Sequence, residues 1–198
     1  KIQSHRGYKH IEMKINAGEI RVGMLLEYKN DLWQVLKTQH VKPGKGGAFA
    51  QVEMKSFGKN TKLNERFRSS ETVEKASIEE VEFSYMYQDQ EGYHFMNNKN
   101  FDQIKLNKSL VGDKAKMLKE NLSIVIGFHE ERPIFLTLPN QIDLEIIETD
   151  ASIKGQTVSS SYKPAILSNG LRVQVPPFIN VGDNITIDTR TIEYIKKN

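Results

Sequence analysis

Residues 24–54 read MLLEYKNDLWQVLKTQHVKPGKGGAFAQVEM, and the way this stretch alternates and turns decides the fold class. Met24-Leu25-Leu26-Glu27-Tyr28 and Leu32-Trp33-Gln34-Val35-Leu36 are short runs rich in apolar and aromatic residues. They flank Lys29-Asn30-Asp31, which reads as a hairpin turn. The second run continues through Thr38 and Val41 to a glycine-rich tip, Pro43-Gly44-Lys45-Gly46-Gly47, and the chain returns along Ala48–Met54. Another pair, Lys62–Arg68 and Glu71–Lys75, joins at Ser69-Ser70. Five short strands in so small a segment suit a closed SH3-like barrel better than an open sheet with bare edges.

Two more β units follow. Val81–Tyr87 alternates, turns at Asp89–Gly92 and returns as Tyr93–Met96. Ile124–Phe128 and Ile134–Leu138 form a second hairpin around His129–Pro133. Tyr85 and Tyr87 are expected to pack inside. Between the hairpins, Ala115, Leu118 and Leu122 share one face of a helix expected over Asp113–Asn121. Strand, strand, helix, strand, strand matches an oligonucleotide-binding (OB) barrel with its helix after the third strand. The third unit repeats the theme without a helix, through Leu144–Ile147, Ala165–Leu167, Leu171–Val175, Ile185–Asp188 and Thr191–Ile195. The chain is therefore read as all-β, with three consecutive small barrels over 13–77, 78–141 and 142–198. Residues 1–12 show no periodicity and are read as a tag or start-site extension.

Composition narrows the function classes. The 198 residues include no cysteine, which excludes disulfide scaffolds and thiolate chemistry. No apolar run is long enough for a transmembrane helix, so a soluble, cytoplasmic protein is expected. The net charge of +3 is unevenly spread. Residues 13–77 hold 12 bases and 7 acids, 78–141 hold 7 and 10, and 142–198 hold 6 and 7. A basic first unit on a near-neutral body points to a polyanion contacted mainly at that end.

The search for catalytic chemistry finds none. The five histidines include no pair at helical metal-ligand spacing outside the tail, and His129-Glu130-Glu131 is not a zinc-protease motif. There is no nucleophile elbow, and neither Gly44-Lys45 nor Gly58-Lys59 belongs to a phosphate-binding loop. A non-enzymatic protein without metal or cofactor is expected.

The loop Lys42-Pro43-Gly44-Lys45-Gly46-Gly47-Ala48-Phe49 carries the chemical signal. Proline sets φ at the entry, and glycine removes bulk from both flanks of Lys45. Lys45 is then the one long side chain between Lys42 and Phe49, and a narrow hairpin can carry its ammonium group into a crevice. By itself the pattern reads first as a plain glycine-rich turn with a solvated lysine, because Gly/Pro clusters usually punctuate a chain.

In this context the chain resembles the bacterial elongation factor P family. The tip loop is joined, in order, by Tyr93-His94-Phe95-Met96-Asn97-Asn98, Val111-Gly112-Asp113, Lys163-Pro164-Ala165, Val175-Pro176 with Phe178, and Asp188-Thr189-Arg190 with Glu193-Tyr194. The resemblance implies a KOW-like (SH3-like) first barrel, two OB-folds and an L-shaped, tRNA-like outline. It further implies a monomeric factor that binds both ribosomal subunits between the peptidyl-tRNA and exit sites. There the factor would steady the CCA end of peptidyl-tRNA and stimulate peptide-bond formation at polyproline stalls. Lys45 takes the position that a lysine-modifying enzyme extends in many members. Lys42, Lys55, Lys62, Arg66 and Arg68 are the candidate tRNA contacts of the first barrel. In the third, Gly155, Gln156 and Thr157 replace the family's usual Gly-Asp-Thr near the exit-site mRNA codon, so that a charge is lost. Arg172, Arg190 and Tyr194 are further RNA candidates, Tyr194 being equally a core residue of the last strand. The alternative from a different class is a general nucleic-acid-binding β-barrel protein that relies on diffuse charge.

Overall fold

Lys29 and Asn30 both adopt left-handed backbone conformations, with φ of 50° and 56°. They close a two-residue turn between β2 (Leu25–Tyr28) and β3 (Asp31–Val41), the connection whose twist matches antiparallel strands. The computed structural model describes residues 13–151 and 161–198. Residues 1–12 lie outside the described residues, as do Gly155, Gln156 and Thr157. The chain divides between Glu79 and Glu80 into two compact units.

The first unit is one sheet in the order β1-β6-β2-β3-β4-β5, adding β1 (Met13–Asn16), β4 (Phe49–Ser56), β5 (Lys62–Arg68) and β6 (Thr72–Lys75). Strand β1, absent from the sequence reading, pairs with β6 from Met13↔Lys75 to Asn16↔Thr72. Alternation sends Leu26, Trp33, Val35, Ala50, Val52, Met54 and Phe67 into one core. The Trp33 indole donates to the Tyr28 carbonyl at 2.8 Å, which satisfies the buried N–H.

The second unit holds two further sheets. One runs β11-β10-β7-β8-β9, from β7 (Glu79–Gln88), β8 (Tyr93–Asn97), β9 (Gln103–Leu106), β10 (Ser123–His129) and β11 (Arg132–Thr137). The other runs β14-β13-β12-β15-β16, from β12 (Gln141–Thr149), β13 (Lys163–Leu167), β14 (Arg172–Val175), β15 (Asn184–Asp188) and β16 (Glu193–Lys197). The all-β class and its three barrel-forming sheets therefore match the sequence reading.

Two expectations need correction. The helix expected over Asp113–Asn121 is instead a single α-turn, α1 (Lys108–Val111), followed by a 3-10 segment at Gly112–Met117. Asn107 caps α1 by accepting from the Leu110 amide at 2.8 Å, and Gly112 leaves the α-helical region at φ 55°. The apolar set was nonetheless sound: Ala115, Leu118 and Leu122 pack on the second module's core. Met117 instead enters the third module's core beside Ile142, Ile146 and Ile179. The Lys114 ammonium donates to the Leu136 carbonyl, and burial lowers its pKa.

Tyr87 is the second correction. Tyr85 packs edge-on against Phe95 at 5.6 Å, but a bulge between Tyr85 and Tyr87 shifts the register, so that Tyr87 faces His94. Tyr87 is consequently 48% exposed and stacks on the His94 ring at 4.4 Å.

Candidate functional site: a lysine-tipped hairpin and its basic face

The β3 and β4 strands pair from Trp33↔Ser56 to Val41↔Phe49, and the loop Lys42–Ala48 closes the far end of this long hairpin. Lys42, Pro43, Gly44, Lys45, Gly46 and Gly47 are all exposed. Gly46 alone among the loop glycines has positive φ, at 101°, so it is the position where a side chain would strain the turn. A Cβ at Gly44 or Gly47 would meet nothing within 4 Å. These two serve by removing bulk around Lys45 rather than by unusual backbone angles.

Below the tip, cross-strand registers set out a face. Along β4, Ala50, Val52 and Met54 point inward while Phe49, Gln51, Glu53 and Lys55 point outward. Their β5 partners are Arg68, Arg66, Asn64 and Lys62 respectively. On β3, Val41, Gln39, Lys37 and Gln34 continue the same four rows. The outer face of β3-β4-β5 thus bears Lys37, Lys55, Lys62, Arg66 and Arg68, interleaved with amides, against the single carboxylate of Glu53. Lys62 lies 3.5 Å from Glu53 in an exposed ion pair. The Arg66 guanidinium lies over the Phe49 ring, 3.5 Å from its centroid.

The candidates of the first barrel, Lys55, Lys62, Arg66 and Arg68, therefore share one surface that leads to the tip. Lys37, Gln39 and Gln51 belong to it and were missed. Simple alternation from buried Val35 would turn Lys37 inward. A bulge between Val35 and Lys37 reverses it, and the signal for that bulge lies in the pairing with β4 rather than in β3 itself.

The third module's candidates lie apart in its sheet. Arg172 is exposed on β14, and Tyr194 packs against the core while pairing with Ile187. Arg190 clamps Asp188, with Nε to Oδ1 at 3.1 Å and Nη2 to Oδ2 at 2.6 Å. The guanidinium beside Asp188 holds its carboxyl down to about 2. Among the described residues, no helix is long and apolar enough to cross a membrane.

Comparisons with known proteins agree with this arrangement. The elongation factor P KOW-like domain matches residues 16–73, the elongation factor P OB domain 78–136, and the elongation factor P C-terminal domain 142–197. The chain is 65% identical over 185 residues to elongation factor P of Pelagibacter ubique, covering 93% of this chain and 100% of that protein. It is 48% identical to elongation factor P of Parvibaculum lavamentivorans, covering 93% and 99%. Among solved structures, eukaryotic translation initiation factor 5A from Methanococcus jannaschii aligns with a TM-score of 0.58 at 16% identity. That alignment covers 68% of this chain and 98% of the archaeal one, and it is a likeness of fold. With a KOW-like barrel, an OB barrel and a matching C-terminal module in sequence, the chain belongs to the elongation factor P family and is a translation elongation factor.

Proposed function

We propose that this factor binds the ribosome between the peptidyl-tRNA and exit sites, where its lysine tip steadies the CCA end of peptidyl-tRNA. Peptide-bond formation at polyproline stalls is then accelerated by positioning. The observation that carries the reading is the exposed, glycine-flanked Lys45 at the end of the β3–β4 hairpin. Holding a reactant in attack geometry lowers a barrier without any protein group entering the reaction, so an accelerating role needs no catalytic residue. The factor is accordingly non-enzymatic, monomeric and cytoplasmic, and needs no metal or cofactor.

The basic outer face of β3-β4-β5 supplies phosphate contacts along the tRNA, through Lys55, Lys62, Arg66 and Arg68, with Lys42 nearer the tip. A stacked guanidinium keeps its in-plane N–H donors free, so Arg66 can sit on Phe49 and still bind phosphate. A lysine-modifying enzyme extends the Lys45 amine, which lengthens the reach of the tip. In the third module, Gly155, Gln156 and Thr157 are candidate contacts to the exit-site codon in which the Gln156 amide keeps hydrogen-bonding capacity without the usual carboxylate charge, and Arg172, Arg190 and Tyr194 are further RNA candidates.

Reconstituted translation of a polyproline reporter tests the reading. Lys45→Ala is expected to abolish stall relief while leaving the fold intact by circular dichroism. Full activity of Lys45→Ala would refute positioning by the tip. Steeply salt-dependent binding to free RNA, with no preference for ribosomes, would instead favour a general nucleic-acid-binding barrel.

A further inference from the structure

The connection from β8 to β9 is locked by its own short polar side chains. Asn97 Oδ1 accepts from the Lys99 amide at 2.8 Å and from the Asn100 amide at 3.3 Å. The Asn97 carbonyl accepts from the Phe101 amide at 3.0 Å, and the Asn97 amide donates to the Asp102 carbonyl at 2.8 Å. Asn100 bonds Asp102 twice, donating from Nδ2 to Oδ2 at 2.9 Å and accepting the Asp102 amide on Oδ1 at 3.0 Å. Strand β7 adds two anchors. The Ser84 hydroxyl donates to Asn98 Oδ1 at 2.7 Å, and the Asn98 amide donates to the Glu82 carbonyl at 3.2 Å. Asparagine and aspartate fix loops in this way because their side chains reach backbone groups two residues on.

The locked loop holds Phe101 at φ 64° and leaves it 68% exposed. Left-handed backbone suits glycine or asparagine, and a bulky side chain there persists only where its surroundings enforce it. Among the described residues, Phe101 is the one aromatic with positive φ and the most exposed large hydrophobic side chain. Its ring has no aromatic or cation contact among those residues. A single exposed apolar residue is ordinary on a protein surface, but one that also strains the backbone is not. The fold gains little from phenylalanine at this corner, which points to a partner. A ring held rigidly in place loses little freedom when it binds.

Local charge decides the kind of partner. Phe83 is buried, so alternation turns Glu80, Glu82 and Ser84 to the other face of β7, and the Ser84–Asn98 bond sets that face beside the loop. Glu80 and Glu82 are exposed, and neither has an ion pair among the described residues. Asp102 adds a third carboxylate, against the ammonium of Lys99. The one base of β9, Lys105, is taken by Glu91. Such a surface repels a phosphate backbone and attracts cations. An aromatic centre within a rim of amides and charges is also the anatomy of a protein–protein anchor.

We propose that Phe101 anchors the second module in an apolar socket of a basic protein of the ribosome, whose cationic rim meets Glu80, Glu82 and Asp102. The assignment rests on the reading that this factor binds the ribosome, and it concerns a loop that the lysine tip does not include.

The test combines thermal unfolding with binding of the fluorescently labelled full chain to purified bacterial 70S ribosomes. Phe101→Asn suits the left-handed corner, so its melting temperature should equal or exceed that of the parent. Its ribosome affinity should nevertheless fall by about tenfold or more, as on loss of an interface anchor. Parent-like affinity in Phe101→Asn would overturn the proposal. Glu82→Gln should weaken binding as well, whereas unchanged or tighter binding would overturn the match to a basic partner. With p-benzoylphenylalanine in place of Phe101, irradiation should crosslink the chain to a ribosomal protein rich in lysine and arginine, identified by mass spectrometry. Crosslinks to ribosomal or transfer RNA instead would overturn the choice of partner. Lys45→Ala should crosslink from position 101 as the parent does. Failure of Phe101→Asn to weaken binding on ribosomes that the parent occupies sinks this inference alone. A parent that does not bind ribosomes sinks the reading beneath it.

Discussion

The Arg66 guanidinium lies 3.5 Å from the centroid of the Phe49 ring, where β4 leaves the tip loop. Phe49 pairs directly with Arg68 and diagonally with Arg66, so the cation holds the first strand residue after the loop. An exposed cation–π contact contributes about 0.5–1 kcal/mol. Arg66→Gln and Phe49→Leu should each lower stability by about that amount. Both should also raise the picosecond–nanosecond mobility of the Gly44, Gly46 and Gly47 amides in ¹⁵N relaxation. Unchanged relaxation in both variants would show that the contact does not restrain the tip.

Gly46 is the loop position with a backbone requirement, φ being 101°. Gly46→Ala should cost roughly 1 kcal/mol or reshape the loop, because an L side chain resists positive φ. Gly47→Ala, where an added Cβ meets open space, should leave backbone shifts of the loop nearly intact. Comparing the two variants by NMR and in the polyproline assay checks this. Equal effects would mean that bulk rather than backbone geometry governs the tip.

Met117 joins the second and third modules. Its side chain, 5% exposed, lies in the third module's core, and the Asn169 amide donates to the adjoining Lys116 carbonyl at 2.8 Å. Met117→Ala should destabilise the unit by about 2–5 kcal/mol, the cost of truncating a buried methionine. Scanning calorimetry should then resolve separate transitions for the two modules. A single transition at the parent temperature would contradict a joint core.

Acid should act on the third module through Asp188. Its carboxyl, ordinarily titrating at 3.8, is lowered to about 2, chiefly by the Arg190 side chain and then by the Arg190 backbone amide. A folded-state value below the unfolded one favours folding fully above 3.8, and that contribution vanishes as pH falls through about 2. Asp183 is lowered in the same direction by Lys197, 2.8 Å away. Carboxyl ¹³C titration should place Asp188 near 2 in the parent and closer to 3.8 in Arg190→Gln. An unmoved midpoint would mean that the ion pair does not persist in solution.

Hairpins closed by neighbouring residues were readable one residue at a time. Lys29-Asn30 favours left-handed backbone, flanking strands alternate, and the glycine-rich tip breaks that alternation; each signal lies within a few residues of what it specifies. Burial follows the same local rule, repeating with a period of two along β4 and β12.

Pairing between distant segments decided the rest. Met13–Asn16 becomes a strand because β6, far along the chain, offers it an edge. The bulges before Lys37 and Tyr87 turn those side chains outward, and each exists only relative to a partner strand. Met117 leaves its own module's apolar stripe for a neighbouring core that no helical periodicity reveals. Local sequence therefore determined where strands begin and turn. Tertiary contact determined which face each side chain finally presents, because register is a property of two strands and one residue's slip reverses a whole face.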